Sequence, residues 1–305
     1  MSPAAPINGT WEIKVVPGGD QAQLTLHRAT PGDHGFTVSL LLPLASLSGL
    51  SHEALLSEGA QVNFEFVRDA GVLAFNGRVS QGQGDGGFVF KASTDFMEDL
   101  QILGYESLTD ESLFTLASYD VTRTFVRELN ALGYERLPVA QLVEMRIHGV
   151  SPEFVRELHA LGYEHQPVDQ LITMHIHGAN PDFIRQFRDL GYDRIPVAQL
   201  IEMRIHGISP KSVQELHALG YEHQPVDQLI TMHIHGANPD FIRQFRDLGY
   251  DRIPVAQLIE MRIHGVSPKS VQELHALGYE HQPVDQLITM HIHGAKPDPA
   301  RSRRR

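Results

Sequence analysis

The chain has 305 residues, of which 42% are hydrophobic and 20% are charged, a composition typical of folded proteins. It contains no cysteine, which excludes disulfides and thiolate chemistry. Its net charge of −12 argues against nucleic acid as the main partner, because a phosphate backbone repels an acidic surface. We expect no membrane span, since no apolar run approaches the roughly 20 residues that a span needs.

The first 92 residues predict a small antiparallel β domain. Hydrophobic and polar residues alternate in short runs, as at Trp11, Ile13 and Val15, and turn-forming residues separate these runs. Because short connections favour hairpins over parallel crossovers, we expect a barrel or sandwich. Segment 46–57 is a candidate for a short helix. The runs predict about six strands, near 10–16, 21–28, 36–42, 61–68, 72–80 and 86–92.

Two stretches of this domain look like functional motifs but have the wrong context. The glycine-rich segment 82–87 lies between two predicted strands, so it predicts a hairpin loop and not a phosphate-binding loop. His52 and Glu53 begin like a zinc-peptidase helix, yet Leu56 stands where the second histidine ligand belongs. We therefore expect no catalytic residue, no metal and no cofactor here.

From residue 93 to residue 298 the chain is a tandem array of 29-residue units. The triplet Leu-Gly-Tyr recurs once per unit from Leu103 to Leu277. Residues 161–218 and 219–276 differ only at one position, so the units alternate between two types. This periodicity is typical of an α-solenoid made of helix–turn–helix repeats. Residues 299–305 predict a basic disordered tail, and Pro299 should prevent a second helix in the last unit.

Each unit predicts two short helices that end at glycines. In the third unit, Val168, Leu171, Ile172 and Ile176 form one apolar stripe, and a proline occupies the predicted first turn. Asn180 is the expected cap of the second helix. Glycine in the left-handed conformation should end the helices. The predicted stops of the second helices are Gly133, Gly162, Gly191, Gly220, Gly249 and Gly278.

Most of the 18 histidines lie in the array, where they predict structural roles. Histidines two positions apart on a helix point about 200° away from each other, so one metal ion cannot easily bind both. A histidine before the glycine that ends a first helix can donate to free carbonyls and meets the negative end of the helix dipole. These predicted caps are His148, His177, His206, His235, His264 and His293.

Two other positions of the first helix change with the unit type. Arginine alternates with histidine at one of them, and glutamate alternates with threonine at the other. Positions that tolerate such exchanges usually face solvent. The candidate interaction surface therefore comprises Arg146, His175, Arg204, His233, Arg262, His291, Glu144, Glu202 and Glu260.

The array resembles a helical repeat of uncharacterised bacterial proteins and the C-terminal tails of membrane zinc peptidases of the beta-lactam-sensor class. The resemblance covers about residues 8–300 and implies a sensory or interaction accessory module. The membrane helices and the zinc motif of the peptidase are lacking in this sequence, so no catalytic residue carries over. The residues that carry the resemblance are Leu132-Gly133-Tyr134 and Glu144 through Leu158 in the array, and Arg68-Asp69-Ala70-Gly71 and Phe75-Asn76-Gly77 in the β segment.

These features favour a non-enzymatic scaffold that binds a protein or peptide, because stacked repeats present an extended surface. The alternative is a purely structural or engineered array, which the near-identity of the two double-unit copies also suits. A metal-dependent, peptidase-related protein is less favoured, since no nucleophile–base pair or cofactor loop is found. We expect a cytoplasmic protein, or an extracytoplasmic one if the chain is a fragment of a larger membrane protein. Weak self-association is left open.

Overall fold

The structure, a computed structural model, describes residues 6–28 and 35–293. The chain divides into two compact units. Unit 1 comprises Met1–Arg156 with His165–Val168, and unit 2 comprises Glu157–Glu164 with Asp169–Arg305. An antiparallel sheet is followed by helices at a regular spacing of about 29 residues, so the predicted fold class, a β domain followed by an α-solenoid, is confirmed. The predicted tail and Pro299 lie outside the described residues.

The β domain is one curled sheet, a half-barrel with β3 and β4 at its edges. Every pair of neighbouring strands is antiparallel, in the order β3-β2-β1-β7-β6-β5-β4. The alternation of hydrophobic and polar residues did not predict β4, because only two residues of that strand pair with β5. The strands are β1 (Ile7–Val15), β2 (Gln21–Arg28), β3 (Phe36–Pro43), β4 (Leu47–Ser48), β5 (Ala60–Arg68), β6 (Gly71–Ser80) and β7 (Gln83–Ala92).

The glycine-rich segment 82–87, predicted as a hairpin loop, mostly belongs to β7. The turn consists of Gln81 and Gly82 alone, whose φ angles of 50° and 82° are those of a two-residue hairpin turn. Glycine also occupies positions within β7, because the backbone of the neighbouring strand β6 lies close to them. A Cβ atom at Gly86 would lie 2.0 Å from the carbonyl oxygen of Asn76 on β6, so a side chain cannot be accommodated there.

The helices have the regular spacing that the array predicts. From α5 onward, odd-numbered helices are the first helices of their units and even-numbered helices are the second. The bounds are α1 (His52–Leu56), α2 (Thr94–Ile102), α3 (Asp110–Ser118), α4 (Arg123–Ala131), α5 (Val139–Ile147), α6 (Pro152–Ala160), α7 (Val168–His177), α8 (Pro181–Asp189), α9 (Val197–Ile205), α10 (Pro210–Ala218), α11 (Val226–His235), α12 (Pro239–Asp247), α13 (Val255–Ile263), α14 (Pro268–Ala276) and α15 (Val284–His293).

The core of the sheet in unit 1 includes a helix from the predicted array. Phe114 of α3 is fully buried, and its ring lies 5.8 Å from that of Phe88, 5.5 Å from that of Phe90 and 5.2 Å from that of Phe36. Aromatic rings at these distances attract one another in addition to burying apolar area. Packing therefore crosses the boundary that the sequence predicts after residue 92.

Within unit 2 the helices form two layers. The first helices α9, α11, α13 and α15 contact one another in order, and the second helices α8, α10, α12 and α14 do the same. A helix of nine or ten residues is marginally stable alone, so each one depends on its neighbours in the layer. The buried side chains include Leu200 and Met203 of a first helix and Phe241 and Phe245 of a second helix.

The caps differ between the two layers. The proline that the sequence placed in the first turn of the first helix is instead the N-cap, as at Pro225, which has extended ψ (145°) and whose carbonyl accepts from the Leu229 N–H. In the second helices proline does occupy the first turn, behind an asparagine or serine cap. The predicted cap Asn180 accepts a hydrogen bond from the Phe183 N–H at 2.9 Å.

Candidate interaction surface of the repeat array

Regular helix stops fix the position of each side chain in its repeat. At the end of α8, the Gly191 N–H donates to the Arg188 carbonyl at 2.8 Å, and the Tyr192 N–H donates to the Phe187 carbonyl at 3.0 Å. These two bonds form a Schellman motif, which requires a left-handed residue. The six predicted stops have φ between 84° and 89°: Gly133, Gly162, Gly191, Gly220, Gly249 and Gly278.

The arginines of the candidate surface are held against the preceding repeat. In unit 2, Nε of Arg204 donates to the carbonyl oxygen of His177 at 3.0 Å, and its guanidinium carbon lies 5.1 Å from the ring centre of Phe183. Arg262 repeats both contacts two repeats further along the chain, at 3.0 and 5.0 Å. These side chains thus cap the end of the preceding first helix, a favourable place for a cation.

Arg146 has an equivalent role in unit 1, where its Nε donates to the Tyr119 carbonyl at 3.4 Å and its guanidinium carbon lies 5.5 Å from the ring centre of Phe125. It also has an additional partner. Its Nη2 donates to a carboxylate oxygen of Asp120 at 2.8 Å, and the other oxygen of Asp120 lies 3.0 Å from Nη1 of Arg68. Burial lowers the pKa of Arg68, and the Asp120 carboxylate opposes that effect. Asp120 therefore links an arginine of the sheet to an arginine of α5.

Histidines take the place of these arginines in the other unit type. Nε2 of His233 lies 3.7 Å from where a Cβ atom would stand at Gly207, and Nε2 of His291 lies 3.2 Å from the same point at Gly265. His175 holds the equivalent position in α7. Both kinds of side chain therefore cover the glycine that ends a preceding first helix.

At the ends of α7 and α11, the histidines that precede the glycine stops, His177 and His235, do not act as the predicted caps. The carbonyls of His177 and His235 accept from Arg204 and Arg262, and within the described ranges neither imidazole donates to a helix-end carbonyl. The Cα–Cβ bond of a helical residue tilts towards the N-terminus, so an imidazole at the last position leans away from the free carbonyls. The remaining members of this group are His148, His206, His264 and His293.

A column of exposed isoleucines is the feature that the sequence analysis assigned wrongly. Ile176, predicted to lie in the buried stripe of α7, is exposed, and Met174 is buried instead. At about 100° per residue, Ile176 lies about 140° around the helix from the fully buried Leu171. Ile147 holds the same repeat position in unit 1 and is 53% exposed. The isoleucine column of unit 2 consists of Ile176, Ile205, Ile234, Ile263 and Ile292, which are 51–57% exposed.

Carboxylates share the exposed face of the first helices. Glu202 precedes Ile205 by three residues, and Asp227 precedes Ile234 by seven, spacings that place both on the isoleucine side. The predicted surface residues Glu144, Glu202 and Glu260 are all exposed. In unit 2 the carboxylates of this face are Asp169, Glu202, Asp227, Glu260 and Asp285.

The outer side of the second helices is polar, and two of its arginines are paired with carboxylates. In unit 2, Arg185 forms ion pairs with Glu157 at 2.9 Å and with Asp182 at 2.8 Å, and Arg243 repeats this arrangement two repeats further along the chain. Hydrogen bonding to Glu157 raises the pKa of the Arg185 guanidinium. This layer therefore offers a partner neither exposed isoleucines nor unpaired arginines at these positions.

The tyrosines of the Leu-Gly-Tyr triplets fall into two classes in unit 2. The hydroxyls of Tyr163 and Tyr221 donate to the carbonyls of Ile195 and Ile253, each at 2.8 Å. The hydroxyls of the other unit type are buried and have no hydrogen-bond partner among the described residues; they belong to Tyr192 and Tyr250. Burial raises the pKa of all four tyrosines, Tyr163, Tyr192, Tyr221 and Tyr250.

The solvent-facing side of the sheet in unit 1 contains an open cleft of about 880 Å³. Its lining has mixed charge, with Glu12 and Lys14 from β1, Arg78 from β6 and Asp85 from β7. Such a lining is typical of the solvated face of an antiparallel sheet. The geometry gives no reason to assign a reaction to it.

Comparisons of the chain with protein-family models, curated proteins and solved structures found no match. Within residues 6–28 and 35–293, no helix has the length and apolar character that crossing a bilayer requires. In the same ranges no group of three or more histidine, aspartate or glutamate side chains is placed to hold a metal ion. The resemblance to bacterial repeat modules stays a prediction.

Proposed function

We propose that this protein is a non-enzymatic scaffold whose helical array binds a protein or a peptide. The observation that carries the proposal is the isoleucine column of unit 2, because one exposed apolar residue recurs at the same position of each first helix from α7 to α15. In unit 2 the first helices are in contact, so successive isoleucines are separated by about one interhelical distance, roughly 8–10 Å. Such a column suits a ligand with a repeating structure.

The contacts between repeats favour binding because they fix this surface before a ligand arrives. Each arginine such as Arg204 ties its own helix to the end of the previous first helix. The Schellman stops fix the direction in which each helix starts and ends. A surface that is already ordered loses less conformational entropy on binding, which raises affinity.

The isoleucine column also discriminates against a purely structural array. A spacer gains nothing from exposed isoleucine, which lowers solubility, and a threonine or glutamate would serve equally well on a solvated face. The neighbouring position does carry glutamate in one unit type and threonine in the other, as at Glu202 and Thr231. Retaining isoleucine in both types therefore favours a binding role.

A peptide-display selection on the full chain would test this proposal. We expect selection to enrich ligands that compete with one another for a common site. Amide hydrogen exchange should then show protection in the first helices and no protection in the sheet. An unrelated helical repeat protein of similar charge serves as the control target.

Two outcomes would contradict the proposal. One is an enrichment no greater than that on the control target. The other is protection confined to the β domain, which would assign binding to the sheet and leave the array as a spacer.

A further inference from the structure

We propose that the isoleucine column docks a basic segment of another protein that carries apolar side chains along one side. This inference rests on the function proposed above and adds the chemistry of the partner. The first helices repeat an exposed isoleucine, expose few other large apolar side chains and carry carboxylates on the same face.

Comparison of the two unit types separates the isoleucines from the residues needed for packing. In α9 and α11 the residues that both types share include Leu200 and Leu229, which are buried and maintain the core. Ile205 and Ile234 are also shared, although they are 55% and 54% exposed. Because packing does not require these isoleucines, their repetition calls for a different cause.

The column is also the main exposed apolar feature of unit 2. Among the described residues of this unit, the only large apolar side chain that is exposed outside the column is Leu277, at 67%. Leu277 lies at the end of α14 and not on the exposed face of a first helix. It therefore provides a matched control position, exposed and apolar but outside the proposed site.

The charges on this face indicate a cationic partner. Five carboxylates lie on the isoleucine side in unit 2, and neither Glu202 nor Glu260 forms an ion pair with another described residue. The two arginines next to the column, Arg204 and Arg262, are directed to the helix ends of preceding repeats. In the described part of unit 2 the five carboxylates of this face outnumber its two arginines, so the face is acidic and complements a basic ligand.

Two other occupants fit these observations less well. A second copy would place one acidic face against another, which like charges disfavour. The basic C-terminal segment, with Arg301, Arg303, Arg304 and Arg305, contains no apolar residue larger than alanine or proline after residue 293, so it cannot fill an isoleucine column. A basic segment with larger apolar side chains satisfies both features of the surface.

Synthetic peptides of about 18 residues, long enough to form a helix, would test the inference on the full chain. A leucine–lysine peptide with leucines along one helical side is the probe. A leucine–glutamate peptide of the same pattern and a serine–lysine peptide are the controls. Fluorescence anisotropy should show binding of the leucine–lysine peptide, and much weaker binding of both controls.

Variants of the chain localise the site. Replacing Ile205, Ile234 and Ile263 together by serine should weaken binding by at least about thirtyfold, since each loses an apolar contact worth roughly three- to tenfold in affinity. Leu277→Ser should leave the affinity unchanged. Glu202→Gln with Glu260→Gln should weaken binding and reduce its dependence on salt. Melting curves verify that each variant remains folded.

Several results would overturn the inference. They are equal affinity for the leucine–glutamate peptide, an unchanged affinity of the triple isoleucine variant, and concentration-dependent self-association that this variant abolishes. In the last case the occupant is a second copy. If display-selected ligands bind the array but ignore the isoleucine substitutions, the proposed function stands and this inference fails. If no ligand binds the array, both fail.

Discussion

Equivalent tyrosines in neighbouring repeats should respond in opposite directions to the loss of their hydroxyl. Tyr163 and Tyr192 occupy the same position of the Leu-Gly-Tyr triplet in the two unit types. The Tyr163 hydroxyl donates to the Ile195 carbonyl at 2.8 Å, whereas the Tyr192 hydroxyl is buried without a partner among the described residues. Tyr→Phe therefore removes a hydrogen bond in one repeat and an unsatisfied polar group in the next.

The expected magnitudes follow from these environments. Tyr163→Phe leaves a buried carbonyl without its donor and should lower the free energy of unfolding by about 1–2 kcal/mol. Tyr192→Phe relieves the desolvation of an unpaired hydroxyl and should raise it by up to about 1 kcal/mol. The same changes at Tyr221 and Tyr250 repeat these effects, since the environments recur. Two double variants thus enlarge the contrast.

Urea denaturation followed by circular dichroism measures the difference. We expect the midpoint to fall for Tyr163→Phe with Tyr221→Phe, and to stay equal or rise for Tyr192→Phe with Tyr250→Phe. The wild-type slope of the transition serves as the check that cooperativity is unchanged. Equal losses in both double variants would refute the reasoning, because they would show that the second pair of hydroxyls is also hydrogen-bonded.

Four further expectations concern pH, backbone conformation and the ties between repeats. Burial raises the pKa of the four tyrosines above the unfolded value near 10. Their contribution to stability is therefore complete below about pH 10 and is lost as pH rises through the folded pKa. The urea midpoint should fall in that range. Gly220→Ala should cost about 1–2 kcal/mol in a melting experiment, since φ is +89° and no atom lies near the added Cβ; an unchanged melting temperature would mean that the turn relaxes freely. Gly86→Ala should cost more than Gly220→Ala, because its Cβ would lie 2.0 Å from a carbonyl oxygen, and an equal loss would contradict the close approach. Arg204→Met should lower the free energy of unfolding by about 1 kcal/mol in urea denaturation, whereas the same change at the exposed loop residue Arg252 should not.

The elements that could be predicted from the sequence are those determined by local pattern. The repeat period, the left-handed glycines and the asparagine caps depend on neighbouring residues, and the alternation in the first 92 residues predicts most of the strands. The two-residue strand β4 has no pattern of its own and forms only because β5 is beside it. The glycines of β7 look like a loop because their cause, the nearby backbone of β6, is not local.

The candidate surface was predictable only in part, for a related reason. The sequence shows that arginine and histidine alternate in the first helices. It does not show that Arg204 donates a hydrogen bond to the carbonyl of His177 in the preceding repeat. It also placed Ile176 in the core, although the offset of five residues from Leu171 already indicates the opposite side of the helix. Counting angles from the most buried leucine would have revealed this column without a structure.

The alternation of unit types limits how the array can change its length. Arg204 lies over the ring of Phe183, and the residue that corresponds to Phe183 in the other unit type is Ser212. Deleting a single repeat joins two units of the same type: loss of a unit of the Phe183 type leaves an arginine over a serine, and loss of a unit of the Ser212 type leaves a phenylalanine without its arginine. Deleting or inserting a pair of repeats recreates only junctions that already exist. Recombination between the two nearly identical copies therefore yields longer or shorter arrays in which every interface between repeats already occurs in this chain. The length of the binding surface can thus change in steps of two repeats.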